Sequence, residues 1–166
     1  MSLTIAAVGA VVAAILESTL LRYVEIGGAH PHLVLVYAVL WTTVAGLDGG
    51  LTAAFVGGLT IDSLALRPFG STAFALLVAV GLASAIARTF VRGRLLVPPM
   101  AVLVSSIVSS AVLLAVYGAL RSPIPVADPL AELLPGAVYD TLLAALIAPL
   151  AIAIHDRATA SERVDW

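Results

Sequence analysis

Several kinds of side chain are missing or scarce in this sequence of 166 residues. There is no cysteine, which excludes disulfides, thiol catalysis and cysteine-based metal sites. There is also no lysine, since all eight cationic side chains are arginine, and this excludes Schiff-base chemistry. Aromatic residues make up 6% of the chain and charged residues only 11%, whereas an average soluble domain is about 25% charged.

Apolar residues dominate instead, at 61% of the chain, with a mean hydropathy of +1.13. This composition excludes an ordinary soluble globule and a disordered chain. At roughly 20 residues per membrane helix, the length suits five to seven spans. A net charge of −2 without a basic run argues against a nucleic-acid partner. We therefore predict one all-α transmembrane domain over residues 1–166, with no metal or other cofactor.

Six apolar runs are separated by glycine, proline and charged residues, which predicts six transmembrane helices. The runs are 3–21, 33–47, 50–66, 71–87, 100–120 and 137–154. No basic residue precedes the first run, so we interpret it as a retained span and not as a cleaved signal peptide. A separate short helix is expected at 129–134, ended by Pro135 and Gly136.

The placement of arginine predicts the orientation of the spans, because cytoplasmic loops are enriched in basic residues. A cytoplasmic N-terminus places five arginines inside and three outside. The inside set is Arg88, Arg92, Arg94, Arg157 and Arg163, and the outside set is Arg22, Arg67 and Arg121. We therefore expect both termini in the cytoplasm. We interpret Arg88, Arg92 and Arg94 as a cytoplasmic anchor for anionic lipid, with a docking site for a cytoplasmic protein as the alternative.

Asp62 is the most informative residue, since it is the only charge in the apolar run 50–66. A carboxylate at the centre of a membrane helix costs about 2.5–3.5 kcal/mol, so it is kept where a partner or cavity receives it. Gly50, Ala54 and Gly58 precede it at intervals of four and lie on the same helix face. Small residues allow close helix approach, so this face and Gly70 are predicted to form a packing or partner interface.

In this topology three acids, Glu17, Asp62 and Asp140, lie at the same outer level. Three arginines, Arg22, Arg67 and Arg121, lie just beyond it. This outer polar cluster has three interpretations: a structural cluster that holds helices or a partner, an outward-facing ligand pocket, and a proton or ion relay. Level acids do not favour a relay, which needs groups at staggered depths.

The sequence contains no arrangement typical of nucleophilic catalysis. The serines at 105–106 and 109–110 lack a neighbouring base and a nucleophile-elbow motif, so we expect them to form hydrogen bonds to the backbone or between helices. The chain is therefore predicted not to be an enzyme.

The second and third runs resemble a known family. Pro31 opens an aliphatic run that extends to Trp41, and it is followed by the small-residue stripe, Asp62 and then Gly70 eight residues later. This pattern, in a chain of this length, resembles MreD, the bacterial rod shape-determining membrane protein. The similarity covers roughly residues 31–90. The chain departs from the family pattern at Leu66, where a small residue is common, and at Asp140, where an asparagine is common nearby.

The resemblance implies a non-enzymatic scaffold of the cell-elongation (rod) complex in the bacterial cytoplasmic membrane. Its implied partners are MreC, the RodA glycosyltransferase, a class-B penicillin-binding transpeptidase and the MreB filament. It also implies a fold similar to the substrate-binding subunits of energy-coupling-factor transporters. The alternative function is therefore a vitamin-binding transporter subunit with an outward-facing pocket. Few aromatic or amide side chains are available to hold a vitamin, which disfavours this alternative.

The first prediction concerns topology. Reporter fusions at Trp166 should report a cytoplasmic location, and insertions within 121–135 should report an external one, because the arginine bias places them so. An external Trp166 would rule out six spans with a cytoplasmic N-terminus.

Overall fold

The computed structural model describes residues 3–19, 30–89, 96–120 and 129–161, with no side-chain description at 129–132 and 158–161. The described segments form six α-helices. They are α1 (Leu3–Thr19), α2 (Leu33–Ala45), α3 (Leu47–Leu64), α4 (Ser71–Thr89), α5 (Val97–Leu120) and α6 (Pro129–Ser161). The predicted all-α class is therefore confirmed for these residues.

Each helix corresponds to one of the six predicted apolar runs, although α1, α2 and α3 end two residues before their runs do. Helix α6 differs more from the expectation. The predicted break at Pro135 and Gly136 is wrong, because one helix continues from Pro129 to Ser161 and includes Pro135 and Pro149. Proline is tolerated inside apolar helices where neighbouring groups satisfy the freed backbone carbonyl. The short separate helix expected at 129–134 is thus the first part of α6.

Helix α2 is the centre of the bundle. It contacts each of the other five helices, and these follow one another around it in the order α1, α3, α4, α5, α6. The arc is open, since the described parts of α1 and α6 do not contact each other. Seven of the 13 residues of α2 are buried, and its sequence is apolar on all sides, as expected of a helix enclosed by others.

The lengths and compositions of the helices indicate a membrane protein. Among the described residues, three segments are long and apolar enough to cross a membrane: Ser71–Thr89, Val97–Leu120 and Leu133–Arg157. Helices α1 and α2 are apolar but shorter, and α3 is diluted by four glycines and two aspartates. Helix α2, at 13 residues, rises only about 20 Å, less than the roughly 30 Å of a bilayer core.

Small residues set the distances between the helices. A Cβ built on Gly58 would lie 2.6 Å from the backbone nitrogen of Ala73 in α4, and one on Gly50 would collide with Thr42 of α2. A parallel stripe through Gly49, Ala53 and Gly57 is also buried, so α3 uses two adjacent faces. In α4, the small residues that recur at intervals of four from Ser71 to Ala83 are buried. Backbones therefore approach closely where side chains are absent.

The second prediction tests this close approach. Gly58→Leu should destabilise the protein by about 1–3 kcal/mol or more, because the side chain meets the backbone of α4, which cannot move aside alone. Gly81→Leu is the matched control, since Gly81 is exposed and has nothing within 4 Å of a built Cβ. Thermal unfolding in detergent should separate the two variants, and equal melting temperatures would show that the Gly58 contact does not hold the helices together.

Candidate functional site

Two helices of the bundle begin inside the protein. The first amides of any helix lack intrahelical acceptors, and a buried helix start must find them elsewhere. Pro31, just before α2, is fully buried, and Ser71 and Thr72 at the start of α4 are buried as well. Both starts lie at the end of the bundle where α1 and α3 finish, which we call the acidic end.

The start of α2 is held by carboxylates from two other helices. Glu17, in the last turn of α1, accepts a hydrogen bond from the Val34 amide at 3.0 Å. Asp140 of α6 accepts one from the His32 amide at 2.7 Å. A negative charge at a helix N-terminus is also favoured by the helix dipole. Helix α2 is thereby attached to the helices at both open ends of the arc.

Asp140 is completely buried and makes two further contacts. Its Oδ2 atom lies 3.0 Å from Nδ1 of His32 and accepts a 2.6 Å hydrogen bond from the Ser106 hydroxyl of α5. One carboxylate therefore joins α2, α5 and α6. Ser105 also bonds across helices, to the Ala79 carbonyl at 3.0 Å, as predicted for these serines.

The start of α4 is held by Asp62, whose side chain is 1% exposed. Its carboxylate accepts hydrogen bonds from the amides of Gly70 at 2.9 Å and Thr72 at 3.2 Å, with the Ser71 hydroxyl at 3.4 Å. Gly70 has a φ of +89°, a conformation that favours glycine, so its role is to shape the turn and not to pack against a helix. Asp62 thus fastens the end of α3 to the beginning of α4.

The predicted outer polar cluster is divided between these two helix starts. Glu17 and Asp140 accept hydrogen bonds from the start of α2, whereas Asp62 accepts them from the start of α4. No described hydrogen bond joins the two groups. Arg67 lies between them and lines a cavity with Glu17. Arg22 and Arg121 lie outside the described residues. In the proposed cytoplasmic anchor, Arg88 is exposed in the last turn of α4, and Arg92 and Arg94 lie outside the described residues.

A small, partly open cavity of about 50 Å³ lies at the acidic end. It is lined by apolar side chains of α2, α3, α4 and α5 and by the polar residues Glu17, His32, Arg67, Thr72, Ser109 and Ser110. Sites for drug-sized ligands are about 300–1,000 Å³, so this cavity accommodates only a very small group. No cluster of metal-ligating side chains occurs among the residues that the structure describes.

Sequence reasoning missed the role of His32, the identity of the Ser106 acceptor and the second glycine stripe of α3. One signal for His32 was available: it follows Pro31 and directly precedes an apolar helix, where backbone amides need acceptors. Ser106 had no such signal, because its contact with Asp140 depends on how α5 and α6 pack. A signal for the second stripe was available, because the Gly-Gly pairs at 49–50 and 57–58 place glycine on two adjacent faces of the helix.

Neither protein-family models, curated proteins nor solved structures provide a match to this chain. The site's own geometry is therefore the basis for functional inference. Three buried or partly buried carboxylates accept hydrogen bonds from the starts of two other helices, which is an arrangement suited to holding helices in place.

The ion pair between His32 and Asp140 leads to a prediction on pH. His32 lies outside α2, before its first residue, and its side chain is 47% exposed. Burial lowers the pKa of His32, but the charge of Asp140, the hydrogen bond to it and the charge of Glu17 outweigh burial and raise the pKa from 6.5 to about 9. Folding thus favours the protonated form, so this contribution to stability is fully present below pH 6.5 and is lost as pH rises to about 9.

Melting curves between pH 6 and 9.5 should therefore show a larger loss of stability in the wild type than in His32→Gln. His155→Gln, which changes the other end of α6, is the control and should follow the wild type. If His32→Gln and wild-type curves stay parallel throughout this range, protonation of His32 does not stabilise the fold.

The fourth prediction concerns Asp62. Asp62→Leu removes the carboxylate that accepts from the Gly70 and Thr72 amides and should cost about 1–3 kcal/mol for each buried amide left unpaired. Asp62→Asn keeps one acceptor and should cost less. Asp48→Asn, an exposed aspartate in the first turn of the same helix, is the control. Unfolding in detergent should rank the stabilities as wild type and Asp48→Asn first, Asp62→Asn next and Asp62→Leu last; equal loss in both Asp62 variants would mean that the charge is what matters.

Proposed function

We propose that this chain is a non-enzymatic membrane scaffold of the MreD type, acting in the bacterial rod complex. In this proposal all six helices lie in the cytoplasmic membrane, with both termini in the cytoplasm, and the fold is similar to the substrate-binding subunits of energy-coupling-factor transporters. The protein binds MreC and supports peptidoglycan synthesis by the RodA glycosyltransferase and a class-B penicillin-binding transpeptidase, in association with MreB.

The observation that best supports a scaffold is how the embedded acids are used. Glu17, Asp62 and Asp140 each accept hydrogen bonds from the backbone at the start of another helix. These carboxylates therefore hold neighbouring helices together. The outward faces of α1 and α6 are apolar, as suits lipid or a partner helix. On α6, the exposed apolar residues recur at every fourth position from Leu134 to Ile154.

The alternative, a vitamin-binding transporter subunit, has weaker support. It requires an outward-facing pocket, and the acidic end does contain a polar cavity. At about 50 Å³, however, this cavity is several times smaller than a site for a vitamin-sized molecule.

Depletion of the protein in its native rod-shaped host tests the proposal. Cells should become round, and plasmid-borne wild type and Gly81→Leu should restore both cell width and co-purification with MreC. Gly58→Leu, which separates α3 from α4, should restore neither. Normal shape after depletion, with no MreC recovered on the tagged wild type, would reject the scaffold, and loss of vitamin uptake instead would favour the transporter subunit.

A further inference from the structure

Among the described residues, Thr72 and Tyr117 each have a buried hydroxyl group without a hydrogen-bond partner, and of these two only Thr72 lines the cavity. Thr72 is 8% exposed, and its Oγ1 atom is buried without a hydrogen-bond partner. Its amide is already used, since it donates to Asp62. Leaving a buried hydroxyl without a partner destabilises the folded state, so such a group usually has a bound water or another small partner.

Thr72 also lines the cavity at the acidic end, where other polar atoms are available. Within the described part of the chain, the Glu17 side chain bonds to Val34 through Oε2, and the His32 side chain contacts Asp140 through Nδ1. The guanidinium of Arg67 forms no hydrogen bond among the described residues, although it lines the same cavity. These four polar side chains therefore line one small space, and one of them, Thr72, has a buried hydroxyl without a partner.

The size and charge of this space define what it can hold. About 50 Å³ is enough for a few water molecules but not for an organic ligand. The side chains that line it carry charges of both signs, since the carboxylate of Glu17 is opposed by the guanidinium of Arg67. A balanced lining gives neither a lone cation nor a lone anion an advantage, whereas water can both donate to Glu17 and accept from Arg67.

We propose that this cavity is a binding site for ordered water, which connects Thr72 at the start of α4 with Glu17 and His32 at the start of α2. Direct hydrogen bonds do not join these two helix starts in the described structure. The bound water unites them into one polar layer that runs from Asp62 through Thr72 to Glu17, His32 and Asp140. The two halves of the outer polar cluster are thereby coupled across the bundle.

Hydroxyl-radical footprinting of the purified protein detects such water directly, because radicals formed from bound water oxidise the buried side chains beside it. Leu35 and Leu76 line the cavity and are 2% and 4% exposed. Leu40 is equally buried, at 5%, but does not line it, and serves as the internal control. Oxidation of Leu35 and Leu76 should exceed that of Leu40 several-fold, whereas equal oxidation of all three would mean a dry cavity.

Substitution of Thr72 provides a second, independent test. If water is bound, Thr72→Val should lower the melting temperature and the oxidation of Leu76, while Thr72→Ser should behave as wild type. In a dry cavity, Thr72→Val should instead raise the melting temperature, since it removes an unpaired hydroxyl. Thr42→Val is the control: Thr42 is 6% exposed, and its hydroxyl bonds to the Ala38 carbonyl.

A double-mutant cycle tests the coupling itself. Thr72→Val and Glu17→Gln should show non-additive losses of stability, because each disturbs the same water. Thr42→Val and Glu17→Gln should be additive. Additive losses in both pairs would reject the link between the two helix starts, and a lipid that co-purifies with wild type but not with Thr72→Val would show that a headgroup, not water, fills the site.

Discussion

Backbone amides at two buried helix starts are the constraint on which the rest of this structure depends. In an apolar environment each unpaired amide is costly, and the helices α2 and α4 both begin among buried residues, at Pro31 and at Ser71 and Thr72. Acids from neighbouring helices supply the acceptors, and each one acts on a helix other than its own. The carboxylates therefore determine which helices are adjacent: Asp62 joins α3 to α4, while Glu17 and Asp140 join α1 and α6 to the central α2.

The small residues of α3 and α4 make this arrangement geometrically possible. Asp62 can reach the Thr72 amide because, one turn earlier, Gly58 lets the two backbones approach at Ala73. The same logic explains why α2 can be short. Surrounded by five helices, it does not need to present a full membrane-spanning length, provided that its start is capped within the bundle. A scaffold function is compatible with these features, because they fix the shape of the bundle and leave apolar surfaces outside.

Much of the helical architecture could be predicted from the sequence, because apolar runs bounded by glycine and proline carry a strong local signal. The end of α5 and the start of α4 were predicted within a residue, whereas α6 was not, since proline loses its breaking effect inside a packed apolar helix. Asp62 could be singled out by its charge in an apolar run. The partners of Asp62 could not be predicted, because the amides of Gly70 and Thr72 need a protein acceptor only when the turn before α4 is buried. The pairing of Asp140 with His32 and Ser106 joins positions 108 and 34 residues apart, and no local pattern encodes it.

Residue-resolved amide hydrogen exchange tests the central claim most directly. In the folded wild type, the amides of His32, Val34, Gly70 and Thr72 should be protected although they begin helices. Glu17→Ala should speed the exchange of the Val34 amide alone, and Asp140→Ala should speed that of His32. Asp62→Leu should speed the exchange of the Gly70 and Thr72 amides. Rapid exchange of these amides in the wild type would contradict the account that separate acids hold the two helix starts. Faster exchange of all four amides in any one of the variants would contradict it as well.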